Sequence, residues 1–522
     1  MDYILFPGRH HLLTTYQERY LQGLQAGGMD DIDQNALADL DRATVIFAVT
    51  SWDRSGTRLN PLPGHRREAA IELFGRDAGL DVLVVPVPHV APTTRFVDVI
   101  ENAVSVHTGS NIELSPDNTV VACSSPAVID LFVDAGYRIA PVEMAGGHDQ
   151  QLAAARPWTH VEDLASDQNL DALRDQVHGA SHDILSRYDW VATMAELFAD
   201  PLLGDQGDLT ETRDYVTYAD SFDDGADRKH DLVRDLVRPG RIVDIGCGTG
   251  ALLHKLADAP ELDESDLFGV EAARPLYEMC EHRRTMGWFD NPNTFFFHRN
   301  VLNTPVFRSA SVDTTITMAL THEVYSYLSH ESVITMVDRI AAHTRPGGVW
   351  VNADVCGPDN PDDIVEFDLR TGDGLPNTDK TPTPELTDSD SYLGALSTWG
   401  RWTRFVEDFR AVEGELVKWE RVGQGTARAS KRVLYEFLSK KDYTQNWLSE
   451  MHEVFCRYTF ADWADIATEA GFVVGPGSRP YRNDWIVENR WRPVCTIRTL
   501  AGKPQDFETS HLILAAVKAT IS

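Results

Sequence analysis

Lysine is scarce in this 522-residue sequence: none occurs before Lys229, and arginine supplies most of the positive charge. Lys and Arg together number 47 against 80 Asp and Glu, a formal net charge of -33. No basic stripe runs along any segment, which weighs against nucleic acid as a partner, since binding to a phosphate backbone needs clustered cations. Long hydrophobic runs are also missing. None reaches the roughly 18 residues that span a bilayer, so no membrane partner is expected. The opening "MDYILFPGRHHLL" lacks the basic start and small-residue cleavage site of a signal peptide. Cys123, Cys247, Cys280, Cys356, Cys456 and Cys495 are scattered and include no CxxC pair. This pattern points to reduced thiols in a cytoplasm and away from a zinc knuckle. There is no HExxH, no P-loop and no metal-spaced cluster, so no metal is expected.

What is present is acid and alternation. An acidic, lysine-poor surface stays hydrated in concentrated salt, so a halophilic cytoplasm is expected, with codon bias as the alternative source of the composition. The length exceeds one ordinary core, and the hydrophobic fraction of 43% supplies enough apolar residues for two or three. Apolar runs alternate with helical patterns twice. The first set is "YILFPG", "ATVIFAVTS", "LDVLVVPVP" and "TVVACSS"; the second begins at "RIVDIGCG" and continues through "DLFGVEA", "TFFFHRN", "VDTTITMAL" and "GGVWVNADV". Near-continuous apolar strands separated by helices predict parallel sheets covered on both faces. The expected fold class is therefore α/β, with two Rossmann-like three-layer domains, the second carrying an inserted helical lid. The expected domains are 1–157, a helical connector at 158–227, and 228–522 with the lid at about 357–458.

The stretch "RIVDIGCGTG", Arg241–Gly250, carries the strongest chemical signal. After a buried strand, Gly246 and Gly248 permit a tight turn and a close ligand approach because they lack a Cβ. Gly250 opens a helix whose first N–H groups are free to meet a ligand. Glu271 closes the next strand, where a carboxylate can hold ribose hydroxyls. Glycine spacing alone leaves a dinucleotide and a sulfonium nucleoside equally open. Asp244, inside the strand, suits a cationic amino-acid tail, and "HTRPGGVWV" sets a Pro-Gly-Gly turn before a buried strand.

With these neighbours the sequence, from about Tyr215 to the C-terminus, resembles the class I S-adenosylmethionine-dependent methyltransferases. Their D-x-G-x-G-x-G loop, second-strand acid and R-P-G-G turn occur here in order. The resemblance implies S-adenosylmethionine as cofactor, with Asp244, Gly246, Cys247, Gly248 and Gly250 lining the methionine and ribose part and Glu271 holding the ribose. The family often has Gly-Asp after the third strand to hold the adenine. This sequence has "RNVLN" there, so Asn300 and Val301 take that contact.

Methyl transfer requires an aligned acceptor, and a base only when the acceptor keeps a proton. His322 and Glu323, directly after the fourth strand, are the candidate catalytic groups, with Tyr325 close by. In the lid, Tyr443, Trp447, His452 and Glu453 fall at spacings that mostly share a helix face, and the first three are candidate acceptor contacts. The expected partner is a small-molecule methyl acceptor.

The first half, through "FPGRHHLLTTYQERYL" and "NPLPGHRREAAIELF", resembles nucleotidylyltransferases, particularly archaeal-type nicotinamide mononucleotide adenylyltransferases. Aligned on Gly8 and Arg9, however, Thr14, Tyr16 and Gln17 stand where that family has His, Gly and His. Asp149 and Gln150 stand where phosphate-binding cations belong. The resemblance therefore implies a degenerate nucleotide site, at Gly8, Arg9, Thr14 and Gln17, in a domain with a binding or scaffold role. A bifunctional nucleotidylyltransferase/methyltransferase, or a methyltransferase acting on a nucleotide or RNA end, is the alternative.

Overall fold

Five short aliphatic runs build the first sheet: β1 (Tyr3–Gly8), β2 (Thr44–Val49), β3 (Val82–Pro86), β4 (Thr119–Ala122) and β5 (Arg138–Ala140). The structure is a computed structural model that describes residues 2–37, 40–145, 151–199, 223, 225–303 and 305–520. Asp149, Gln150 and Tyr215, named above, lie outside the described residues. The chain divides into two units, Met1–Thr210 and Glu211–Ser522.

In the first unit the sheet order is β3-β2-β1-β4-β5, and every pair is parallel. Successive side chains leave opposite faces of a strand, so each strand feeds two cores. Ile4, Val45 and Phe47 pack with the helices Thr15–Ala26 and Gly64–Ala78, whereas Leu5, Ile46 and Val121 pack with Phe96–His107 and Pro126–Asp134. Part of the expected connector belongs to this unit. Val161, Leu164, Leu185 and Met194, from helices within Pro157–Ala199, share a buried cluster with Leu12 and Leu62. Backbone bonds fasten the same stretch, with Thr15 N donating to Gln176 O (2.9 Å) and His178 N to Leu13 O (2.9 Å). An apolar stripe among polar residues is enough to recruit these helices.

The second unit has an eight-stranded sheet in the order β14-β18-β10-β9-β6-β7-β8. Its strands are β6 (Arg241–Ile245), β7 (Asp266–Glu271), β8 (Thr294–His298), β9 (Val312–Met318), β10 (Thr344–Val355), β14 (Phe472–Val474) and β18 (His511–Lys518), with β15 (Arg479–Tyr481) pairing on β18. β6 through β10 are parallel, and β18 enters antiparallel beside β10. The order reverses between β6 and β9, and the carboxyl ends of those strands flank the crevice where open α/β sheets bind ligands.

The insertion after β10 carries helices, Ser389–Ala395, Thr398–Asp408, Lys431–Lys440 and Trp447–His452, but is not helical alone. It is built on a five-stranded antiparallel sheet, β12-β13-β11-β16-β17, comprising β11 (Ile364–Leu369), β12 (Trp419–Arg421), β13 (Thr426–Ser430), β16 (Cys495–Arg498) and β17 (Pro504–Gln505). Two of these strands lie beyond the expected limit at 458. Val365, Phe367, Ala427 and Ala429 alternate inward toward Trp402 and Phe437, while Glu366 faces outward between Arg428 (2.8 Å) and Arg498 (2.8 Å). The charged residues on the outer face complete a period-two alternation in "IVEFDL" and "TARAS". Between its two visits to this sheet the chain returns to the main one with the helix Phe460–Glu469, β14 and β15.

Candidate active site

The loop after β6 is shaped by three glycines in the left-handed region, Gly246 (φ 70), Gly248 (φ 58) and Gly250 (φ 76). A Cβ at Gly246 would also stand 2.9 Å from Leu320 Cδ1. The loop is held from below. Gly248 N donates to Glu271 Oε2 (2.8 Å), Ala273 N to Glu271 Oε1 (2.8 Å), and Cys280 Sγ to Gly248 O (3.2 Å). On its outer side Thr249 Oγ1 donates to Asp223 Oδ1 (2.9 Å), and Arg283 bridges Asp223 (2.6 Å) and Thr249 O (2.8 Å). Cys247 is interior, its thiol pushed up by the Cys280 thiol and by burial.

Two carboxylates are buried beneath this loop. Burial raises Asp244 to about 7, opposed by Lys229 and reinforced by Glu271. Burial likewise raises Glu271 to about 7 against the hydrogen bonds from Ala273 and Gly248, with Glu323 adding to the rise. Lys229, on the helix Ala226–Val233, is lowered by burial although Asp244 and Glu323 favour its charge. Open backbone and paired buried carboxylates fit a ligand with ribose hydroxyls, an ammonium and a sulfonium.

Across the order reversal, β9 and β10 bring a second group together. Asp354, near the end of β10, receives Thr321 Oγ1 (2.6 Å) and His322 N (3.1 Å) on Oδ2, while its Oδ1 meets His322 Nδ1 at 2.7 Å. Burial alone would raise the Asp354 carboxyl, but the His322 charge and these hydrogen bonds hold it below its ordinary value. On the other side of the ring, His322 Nε2 lies 3.5 Å from Glu453 Oε2. His322, Glu323 and Glu453 each offer a ligand atom within 4.8 Å of the others. The fold thus assembles a cluster capable of holding a metal ion where the sequence spacing suggested none.

The insertion reaches this cluster through hydrogen bonds. Ser326 Oγ donates to His322 O (2.6 Å) and accepts from Val454 N (2.7 Å), while Tyr327 OH donates to Glu453 Oε1 (3.1 Å). Arg410 Nη1 joins Ser326 O (3.1 Å) to His452 O (2.7 Å).

The expected acceptor contacts are placed less uniformly. Trp447 is an interior residue, its indole donating to Asp408 Oδ2 (2.8 Å), so it packs the insertion and does not face an acceptor. His452 Nδ1 lies 2.7 Å from Glu413 Oε1, away from His322. Tyr443 precedes the short turn Thr444–Asn446 and is outside the helix Trp447–His452, which breaks the shared face. Tyr325 stands edge-on to Tyr458 at 5.6 Å. After β8, Asn300 Oδ1 accepts from Leu302 N (3.0 Å) and Val301 is buried. The sequence reading missed Lys229, Asp223 and Asp354; only Asp354, an acid ending the apolar run "VWVNADV", left a readable signal.

In the first unit, Thr14 and Gln17 form a capping box: Gln17 N donates to Thr14 Oγ1 (3.1 Å) and Thr14 N to Gln17 Oε1 (3.1 Å). The remaining amide of Gln17 donates to buried Glu143 (2.7 Å). Arg9 Nη1 donates to Leu59 O (3.2 Å), and the His10 ring folds over Gly8, where a Cβ would stand 3.1 Å from its Nε2.

A twisted parallel sheet closed by one reversed strand, with a glycine loop over two buried carboxylates, defines a nucleoside-binding α/β enzyme. Residues 242–348 match the family model described as a methyltransferase domain. The protein is an S-adenosylmethionine-dependent methyltransferase, and S-adenosylmethionine is its cofactor. No curated protein matches the sequence. Among solved structures, a chain of the Haloferax volcanii complex between the Trm112 methyltransferase activator and a methyltransferase is 13% identical, with 60% of this chain and 100% of that chain covered and a TM-score of 0.32. A methyltransferase from Methanosarcina mazei is 12% identical over 55% of this chain and 97% of its own, at a TM-score of 0.29. The YcgJ protein of Bacillus subtilis is 13% identical over 56% and 99%, also at 0.29.

Proposed function

We propose that the second unit transfers a methyl group to a small-molecule acceptor that enters at the carboxyl ends of β9 and β10. The observation that carries this reading is the Asp354–His322 pair beside the glycine loop, with Asp354 on β10 and His322 just after β9, the strand adjoining β6. Bound at Asp244, the glycines and Glu271, the cofactor supplies a methyl already activated by a sulfonium. The chain's own residues then align the acceptor and remove its proton. With Nδ1 engaged by Asp354, His322 presents Nε2 as the proton-accepting atom, and Glu323 is the neighbouring carboxylate that can orient or deprotonate the same group. The acidity of the chain supports a small acceptor over nucleic acid, and a salt-rich cytoplasm as its setting.

The first unit is read as a nucleotidyltransferase-like domain that has lost adenylyl transfer and now binds or braces. Thr14 and Gln17 are spent on capping a helix, and His10 fills the approach to Gly8. A pyrophosphate-release assay with ATP, CTP and nicotinamide mononucleotide is expected to stay at background. Turnover that disappears in Gln17→Ala would instead establish the bifunctional alternative.

Calorimetry with S-adenosylhomocysteine tests the central reading. Wild type should bind, and Gly248→Val should not, because a β-branched residue strains a backbone at φ 58 and fills the approach. Binding of NAD in place of S-adenosylhomocysteine would overturn the assignment.

A further inference from the structure

We infer that His322, Glu323 and Glu453 form a site for one first-row divalent cation, whose open coordination positions take an oxygen of the methyl acceptor. The inference rests on reading this crevice as the acceptor site. Two ligands about 2.1 Å from an ion and roughly 90–110° apart stand about 3.0–3.4 Å from each other. His322 Nε2 and Glu453 Oε2 are 3.5 Å apart, and all three ligand atoms fall within 4.8 Å, so small side-chain rotations close the set. One imidazole with two carboxylates suits manganese, iron or zinc better than magnesium or calcium, which favour oxygen alone.

Both outer contacts are already made. The Nδ1 side of His322 meets Asp354 at 2.7 Å, the carboxylate backing that fixes the tautomer of metal-binding histidines and turns Nε2 toward the ion. Glu453 Oε1 accepts from Tyr327 OH (3.1 Å), which leaves Oε2 on the His322 side. Its backbone is fixed as well. Glu453 O accepts from Lys440 Nζ, and the N–H groups of Phe455 (3.1 Å) and Cys456 (2.6 Å) donate to Glu436. Asp354, Glu323 and Glu453 surround one imidazole; Lys229, whose charge Glu323 and Asp244 both favour, offsets part of that negative charge, and a divalent cation offsets the rest. With an ion bound, His322 Nε2 would be a ligand and not the base, so of the two proton acceptors proposed above the role would fall to Glu323, through its uncoordinated oxygen.

The test is a titration of Mn2+ into chelator-treated full-length protein, read by the electron paramagnetic resonance of free Mn2+. It is run in molar KCl so that the acidic surface does not collect ions. S-adenosylhomocysteine binding is measured in parallel. One Mn2+ should bind per chain, and Glu453→Gln and Glu323→Gln should each weaken it at least about tenfold, with S-adenosylhomocysteine affinity unchanged in Glu453→Gln. Absence of saturable binding up to millimolar Mn2+, in a protein that binds S-adenosylhomocysteine, overturns the site and leaves His322 and Glu453 as an ion pair. Binding untouched by either substitution places the ion elsewhere and also overturns it. Should Glu453→Gln fail to fold, Glu323→Gln decides, since Glu323 is only partly buried. Mn2+ binding that responds to Glu323→Gln in a protein blind to S-adenosylhomocysteine supports the cation site and defeats the methyl-transfer reading instead.

Discussion

Asp244 and Glu271 are the two carboxylates buried beneath the glycine loop. Each is raised by burial to about 7, from 3.8 and 4.5 in the ordinary carboxyl range. Between those values the folded protein holds protons that the unfolded chain has released. Stability therefore declines as pH rises through this window: the contribution is complete below about pH 4 and lost as pH passes 7. Asp244→Asn removes one of the two titrations, so the variant's melting temperature should fall less than wild type's between pH 5 and 8. A cationic ligand reverses the preference, because an ammonium favours ionised Asp244. Calorimetry at pH 6 in buffers of different ionisation enthalpy should show protons released as S-adenosylhomocysteine binds. Equal heats in all buffers would sink this account of Asp244.

At the scale of elements, the helix Lys431–Lys440 holds the segment that delivers Glu453. Lys440 donates to Glu436 Oε2 (2.6 Å) with both side chains almost fully buried, at 0% and 1% exposure, and its ammonium lies over the rings of Phe409 (4.6 Å) and Phe455 (4.5 Å). Removing one member of a buried pair strands the other without compensation, a loss of about 3–5 kcal/mol. Lys440→Met should therefore lower the denaturation free energy by about that amount, read from urea unfolding; a change under about 1 kcal/mol would show that water or a neighbour rescues Glu436. This pair also marks where sequence reading stopped. The strands and the Asp244–Gly250 loop were legible because an apolar run, a glycine alternation and a strand-end acid are local signals. The approach of Glu453 to His322 was not, since it joins residues far apart in the sequence and depends on how the insertion as a whole packs, which no local pattern encodes. Helical spacing placed Trp447 on an acceptor-facing surface, and the interior of the insertion claimed it, because a large indole with a carboxylate partner is stabilised most by burial.

At the scale of the whole molecule, the net charge of -33 sets two electrostatic effects against each other. Salt weakens surface ion pairs such as Arg492–Glu488 and Arg284–Glu281, each worth about 0–1 kcal/mol in water. Salt also screens repulsion among the acids left over once every base has found one, and these number 33 on the formal count. The second effect should win. The compact state gathers like charges that the unfolded chain spreads apart, and at 1 M salt the screening length shrinks to about 3 Å, shorter than most distances between exposed carboxylates. Molar KCl should therefore raise the melting temperature well above its value in dilute buffer, and replacing surface Asp and Glu by Asn and Gln should flatten that rise. The control is ionic character: KCl and NaCl should act alike, whereas sucrose at matched osmolality should not reproduce the effect. A melting temperature that is flat or falls across molar KCl would mean that the ion pairs dominate and that the acidity reflects composition alone.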